Sequence, residues 1–240
     1  MNPEIFFNPP PPELELLDGE IHAFCAVLDP PRSRLERCEQ ILSADERARA
    51  ARFAVARNRN RFVAGRGLLR EILGGLLRAE PAQLVFAYGE NGKPRLAAPV
   101  AGRIFHFNVA HSDALAVYLV SGKNPVGVDV ERLRRVPEAE AIAARFFSAS
   151  ENAAWRALPA GRQTEAFFEC WTRKEALLKA VGSGLGGLEN QIQAPSANAP
   201  AAAGDSSDFS LHRLVPARGY LAAAAIQSVR PPVCWQWPAG

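Results

Sequence analysis

Apolar and polar residues follow two rhythms along this chain, and the changes of rhythm mark its elements. Residues 19–28 (GEIHAFCAVL) partly alternate and predict a first strand. Residues 44–53 and 57–77 are rich in Ala, Leu and Arg and predict two helices with a break between them. Ser43, with Glu46 three residues on, predicts a capping box at the start of the first. Residues 84–88 (LVFAY) predict a short strand, and 89–94 (GENGKP) a turn signalled by Asn-Gly. Residues 104–109 and 114–121 predict two strands, with His111 at the tip that joins them. In 126–131 (VGVDVE) the period of two puts Val126, Val128 and Val130 on one face and Asp129 and Glu131 on the other.

Helical rhythm then returns. Residues 139–147 predict one helix, and Ser148 with Glu151 caps another that contains Trp155 and runs towards Leu158. Residues 159–161 break the chain before a central helix, whose apolar positions are Phe167, Cys170, Trp171, Leu177, Leu178 and Val181. Gly182 ends it, and Gly184, Gly186 and Gly187 follow. Residues 190–208 are rich in Ala, Pro, Ser and Asn and predict a long loop. Residues 210–215 and 220–229 predict closing strands, and the tail CWQWP either an edge strand or a cover for apolar surface. Each half of the chain has helices followed by antiparallel strands, without a sequence repeat.

The chain has 240 residues, 48% of them hydrophobic and 22% charged, which suits a packed core and excludes bulk disorder. A net charge of +3 favours an anionic ligand or partner weakly. Cys25, Cys38, Cys170 and Cys234 show no zinc or disulfide spacing, so a reducing cytoplasm is expected. Neither a signal peptide nor a membrane span is legible.

The charges on the central helix change this picture. Lys174 and Glu175 fall where the apolar rhythm expects buried positions, and Lys179 neighbours Glu175 one turn on. A Glu–Lys pair is ordinarily solvated surface. On or beside a buried stripe the set is costly unless a metal meets the carboxylate and a phosphate the lysines. Asp129 and Glu131 repel each other unless a cation lies between them, and Glu175 is available as a third oxygen ligand. Lys93 in its turn could help cradle an anion. Most arginines of residues 44–77 are expected on a solvated surface, with Arg59, Arg66 and Arg70 sharing a face opposite Phe62 and Leu69; a few could meet a phosphate. Stacking aromatics are not interleaved among them as a nucleic-acid face would require.

Three stretches stand in order: FNVAHS (107–112), GVDVE (127–131) and FFECWTRKEALLKAVGSGL (167–185). Together they resemble the Sfp-type 4′-phosphopantetheinyl transferases, with ARFAVARNRNRFVAGRGLLREIL and GENGKPRL upstream resembling that family's first half. The resemblance implies an α+β fold of two similar subdomains, here 1–123 and 124–240, related by a pseudo-twofold axis with CoA between them. It implies transfer of the phosphopantetheine arm of CoA to a serine of an acidic apo acyl or peptidyl carrier protein, leaving 3′,5′-ADP. Asp129, Glu131 and Glu175 would bind Mg²⁺. Glu175 and Lys179 would be catalytic, with Glu175 as the base. Arg49, Lys93, Pro94, Asn108, His111, Lys174 and Lys179 would bind CoA. Ala110 replaces the family's first serine in the turn, which removes one hydroxyl contact. A monomer suffices to build such a site, and neither nucleic acid nor membrane is expected as a partner. A metal-dependent nucleotide pyrophosphate hydrolase and a non-catalytic module that binds CoA or a carrier are the alternatives.

Overall fold

The computed structural model describes residues 6–11, 14–16, 19–89, 92–99, 102, 104–182, 209–228 and 230–238. The fold is mixed α+β. Strand β1 (Ile21–Val27) is followed by helices α1 (Arg32–Gln40), α2 (Ala44–Ala50) and α3 (Ala56–Leu77). A small hairpin, β2 (Phe86–Tyr88) and β3 (Pro94–Leu96), leads to β4 (His106–Ser112) and β5 (Leu115–Ser121). Strand β6 (Val126–Arg132), helices α4 (Ala139–Phe146), α5 (Ala149–Arg156) and α6 (Ala160–Val181), and strands β7 (Ser210–Leu214), β8 (Tyr220–Ile226) and β9 (Val233–Gln236) complete the chain.

Two larger sheets form, ordered β4-β5-β1-β9 and β6-β8-β7. All neighbours are antiparallel except β9, which runs parallel to β1 at the edge of the first sheet. The period of two sorts their residues. Ile21, Ala23, Cys25, Val117 and Leu119 of the first sheet share one core with Val126, Val128, Val130, Ala222, Ala224 and Ile226 of the second. The first sheet's other face, with Phe24, Ala26, Tyr118 and Val120, packs on Val63, Leu68, Leu69 and Ile72 of α3. The second sheet's other face, with Leu211, Ala223 and Ala225, packs on Ala176, Leu177 and Ala180 of α6. The layers are therefore helix, sheet, sheet, helix. Because β1 and β5 are covered on both faces, their sequences alternate only weakly in polarity.

Several expectations are met closely. The Ser43–Glu46 capping box starts α2, with Ser43 N donating to Glu46 Oε2 at 3.1 Å. Ser148 and Glu151 do the same for α5. Gly182, at φ 83°, ends α6 in the left-handed conformation. The tail packs as edge strand β9.

Others are corrected. Helix α1 has no counterpart in the sequence reading. Its short, charged segment gains order by packing Cys38 against α3, where Gly67 leaves room; a Cβ there would stand 2.4 Å from Cys38 Cβ. Strand β4 continues through Ser112, so His111 pairs with Ala116 inside the ladder, and the hairpin tip is Asp113–Ala114. Helix α6 starts at Ala160, since Pro159 can stand just before a helix and Ala160 and Gly161 sit in its first turn. Arg70 is not on a solvated face. It is 1% exposed, and its Nε donates to Glu46 Oε2, itself on a side chain 2% exposed, at 2.7 Å. Arg70 Nη1 serves Pro81 O and Leu84 O, each at 2.9 Å. These bonds replace the water that burial removes. Residues 190–208 and Gly184, Gly186 and Gly187 lie outside the described residues.

Candidate active site

The site begins with a missing side chain. A Cβ on Gly127 would lie 2.0 Å from Ala176 O and 2.3 Å from Ala180 N. Only glycine lets the backbone of α6 rest directly on β6. Gly127, Asp129 and Glu131 share a face by the period of two, so both acids face the helix that carries Glu175 and Lys179. Lys179 Nζ donates to Asp129 Oδ1 at 2.6 Å. The other oxygen, Oδ2, is buried without a partner.

Lys179 therefore stands against Asp129 and Glu175, with Glu131 close to both. Burial, against the pull of Lys179, pushes the Asp129 carboxyl up to about 7, and the charges of Glu175 and Glu131 add to the rise. Burial also raises Glu175; Lys179 opposes this and Glu131 reinforces it. Glu131 is anchored separately, its Oε2 accepting from Ser112 Oγ at 2.7 Å.

The expected Lys174–Glu175–Lys179 set divides. Adjacent helix residues point about 100° apart. Lys174 turns towards α5, where its Nζ is 2.9 Å from Glu151 Oε2, with side chains 7% and 15% exposed. Glu151 thus both caps α5 and ties it to α6. Lys93 Nζ donates to Lys179 O in the last turn of α6, and to Val126 O at 3.3 Å. A cation there suits the helix C-terminus. Burial and the nearby Lys179 lower its pKa. Asn108 is buried, and its Oδ1 accepts from Val128 N at 2.8 Å.

Arg49, Pro94 and His111 line one cleft of about 560 Å³, with Phe62, Arg66 and Tyr88. The Arg49 guanidinium sits over the Phe62 ring, 5.3 Å from its centroid. Burial first, then Lys179, lowers the pKa of His111 and favours neutral imidazole. Lys93 lines a neighbouring recess of about 330 Å³ that shares Pro94 with the cleft. A larger groove of about 890 Å³, lined by Arg34, Arg37, Arg78 and Trp237, contains none of the expected site residues.

Sequence reasoning passed over Ser112 and Glu151 as parts of this site. Glu151 was visible as a capping residue, and Ser112 as the end of FNVAHS, but no local signal gave their partners. Among the described residues, no three His, Cys, Asp or Glu side chains stand close enough to enclose a metal ion as they are. The donors nonetheless suit a hard divalent cation: Asp129 and Glu175 with raised proton affinity, Glu131 beside them, and one buried oxygen without a partner. Beside them lie a lysine and an open cleft, an arrangement that can receive a polyanion and neutralise it.

The chain is similar to known proteins. The family model described as 4′-phosphopantetheinyl transferase superfamily matches residues 125–225. A second, described as 4′-phosphopantetheinyl transferase, N-terminal, matches residues 28–123. The 4′-phosphopantetheinyl transferase HetI of Nostoc sp. (strain PCC 7120) is 42% identical over 218 residues, covering 91% of this chain and 92% of its own. The 4′-phosphopantetheinyl transferase psf-1 of Bacillus pumilus is 36% identical over 64% of each chain. The 4′-phosphopantetheinyl transferase Sfp of Bacillus subtilis (strain 168) is 30% identical over 62% of this chain and 64% of its own. The chain belongs to the 4′-phosphopantetheinyl transferase family of enzymes.

Proposed function

We propose that the protein transfers the 4′-phosphopantetheine arm of CoA to a serine hydroxyl of an apo acyl or peptidyl carrier protein. The serine oxygen forms a bond to the phosphorus that bears the pantetheine. The bond from that phosphorus to the bridging oxygen breaks, and 3′,5′-ADP leaves. The observation that carries this reading is the contact of Lys179 with Asp129, beside Glu131, Glu175 and the 560 Å³ cleft.

Each residue has a role in this proposal. Arg49, Pro94 and His111 line the wall along which CoA lies. Lys179 sets its positive charge against the pyrophosphate, so that charge developing on the leaving group is stabilised. Glu175 accepts the serine proton, and its raised pKa makes it a stronger base than an ordinary glutamate. Asp129, Glu131 and Glu175 would hold Mg²⁺, which when bound supplies Lewis-acid polarisation and charge neutralisation. Lys93 gives two of its three N–H donors to carbonyls and keeps one for a phosphate oxygen. Asn108 borders CoA while bridging β4 and β6. Lys174 would meet a CoA phosphate by exchanging Glu151, its partner in this structure, for that phosphate.

We also propose two subdomains, 1–123 and 124–240, related by a pseudo-twofold axis, with β9 of the second crossing over to extend the first sheet beside β1. Each carries a 22-residue helix on the outer face of a sheet, which supports this division. The two family models also meet at this boundary. One chain supplies all the assigned residues, which supports a monomer. Four free cysteines suit the cytoplasm.

The test is the intact mass of an apo carrier protein after incubation with this protein, CoA and Mg²⁺, with and without EDTA. We expect a gain of one phosphopantetheine that EDTA abolishes. CoA cleavage without a mass gain on any of several carriers would make the protein a hydrolase. Glu175→Gln should still bind CoA and lose at least 100-fold in kcat; full turnover would remove it as the base. The exposed Arg132, Arg134 and Arg135 are proposed to meet an acidic carrier. The carrier kcat/KM should then fall severalfold between 50 mM and 500 mM salt, and a flat profile would exclude steering.

A further inference from the structure

Ser112 stands at the end of β4 and lines none of the clefts described above. Its Oγ is 2.7 Å from Glu131 Oε2 and 3.1 Å from Arg132 N. The Arg132 N–H can only donate, so Oγ accepts there. A hydroxyl carries one hydrogen, and an ionised carboxylate can only accept it. That hydrogen therefore points to Glu131 Oε2. The rotor is fixed from both sides.

A second feature fixes the contact at this place. Strands β4 and β6 belong to different sheets. Side chains of β4 bond to backbone N–H groups of β6: Asn108 Oδ1 to Val128 N at 2.8 Å, and Ser112 Oγ to Arg132 N. The two contacts are four residues apart on both strands, so they hold one register. At the second of them the same hydroxyl also holds the acid.

We propose that Ser112 is a positioning residue for the transfer reaction. By anchoring Glu131 Oε2 it keeps the other carboxylate oxygen for the ligand that Glu131 shares with Asp129 and Glu175. This inference rests on the reading that those three acids hold a divalent cation. Hydrogen-bonding partners of metal ligands tune affinity by 10- to 100-fold in general. Ser112→Ala removes the hydrogen and leaves the exposed Arg132 N–H to water, so the fold should survive.

The experiment uses Mn²⁺ as the probe, titrated into the full-length protein and followed by the EPR signal of the free ion. Ser112→Ala should weaken Mn²⁺ binding about tenfold. It should raise the Mg²⁺ concentration for half-maximal rate by the same factor and leave the KM for CoA within about twofold. Ser112→Thr keeps the hydroxyl and should restore both. Wild-type Mn²⁺ affinity in Ser112→Ala would overturn the inference. So would a lower rate accompanied only by a lower Tm, which marks a structural role. Glu131→Gln separates the two ideas. If it binds Mn²⁺ as the wild type does, the cation reading fails; if it loses binding while Ser112→Ala does not, only the role of Ser112 fails.

Discussion

Asp129 carries the clearest cost at the scale of a single residue. Burial pushes its carboxyl up to about 7 in the folded protein, well above the range of an ordinary aspartate. Between the two, the folded protein holds a proton that the unfolded chain has released. This group's contribution to stability therefore declines as pH rises through that window. Asp129→Asn removes the penalty and the metal-binding charge together. In the metal-free protein it should be more stable than the wild type by about 1–3 kcal/mol at pH 8, with little gain at about pH 4. Urea melts at both values check this, and an equal difference at both would sink it. The same variant should lose activity. Asp129, Glu131, Glu175 and Lys179 were legible as a group because two periodicities and a family pattern agreed on them. Lys174 was not separable from them by sequence, since its partner Glu151 lies on another helix. The burial of Arg70 with Glu46 was equally hidden, because propensity treats an arginine on a helix as surface.

At the scale of elements, the contact of α6 with β6 decides whether these residues meet. Gly127→Ala would force a Cβ to within 2.0 Å of Ala176 O, an atom of the helix backbone that cannot rotate away. The helix must move or the strand must bend. The expected cost is about 3 kcal/mol. Activity should fall at least tenfold, as Lys179 withdraws from Asp129. Urea denaturation together with the carrier mass assay measures both, and wild-type values for each would refute the close-approach argument. Elements with strong local signals were found at nearly their observed bounds: α2 and α5 by capping boxes, β6 by alternation, the end of α6 by glycine. Helix α1 was missed because its nine residues, RSRLERCEQ, are mostly polar and bury only Cys38. His111 was placed in a turn because its strand end is polar, yet pairing with β5 carries the ladder through Ser112.

The whole molecule has one shared interior. The two sheets close on the same core, to which β1, β4, β5, β6, β7, β8 and β9 all contribute. Neither half can bury its inner face alone. Two family models match the chain, yet equilibrium unfolding should be a single transition. The tryptophans test this. Trp155 and Trp171 lie with α5 and α6, whereas Trp235 pairs with β1 from β9 and Trp237 packs on Phe24. Tryptophan fluorescence and far-UV circular dichroism should therefore report coincident urea transitions. Separated midpoints would show that the halves fold independently. No helix among the described residues is long and apolar enough to cross a membrane.

The sequence by itself determined most element types, α1 excepted, the alternation that sets Asp129 and Glu131 opposite the valines, and the family to which those acids belong. These follow from local periodicity, caps and motifs, which act over a few residues. Only the tertiary structure decided which charge meets which. Lys179 reaches Asp129, Lys174 reaches Glu151, Lys93 spans from the β2–β3 hairpin to the end of α6, and Ser112 holds Glu131. The reason is physical. Removing a charge from water costs more than any local preference supplies, so each buried group takes whichever partner packing brings within reach. Such partners are set by the stacking of helix on sheet, at separations no periodicity records.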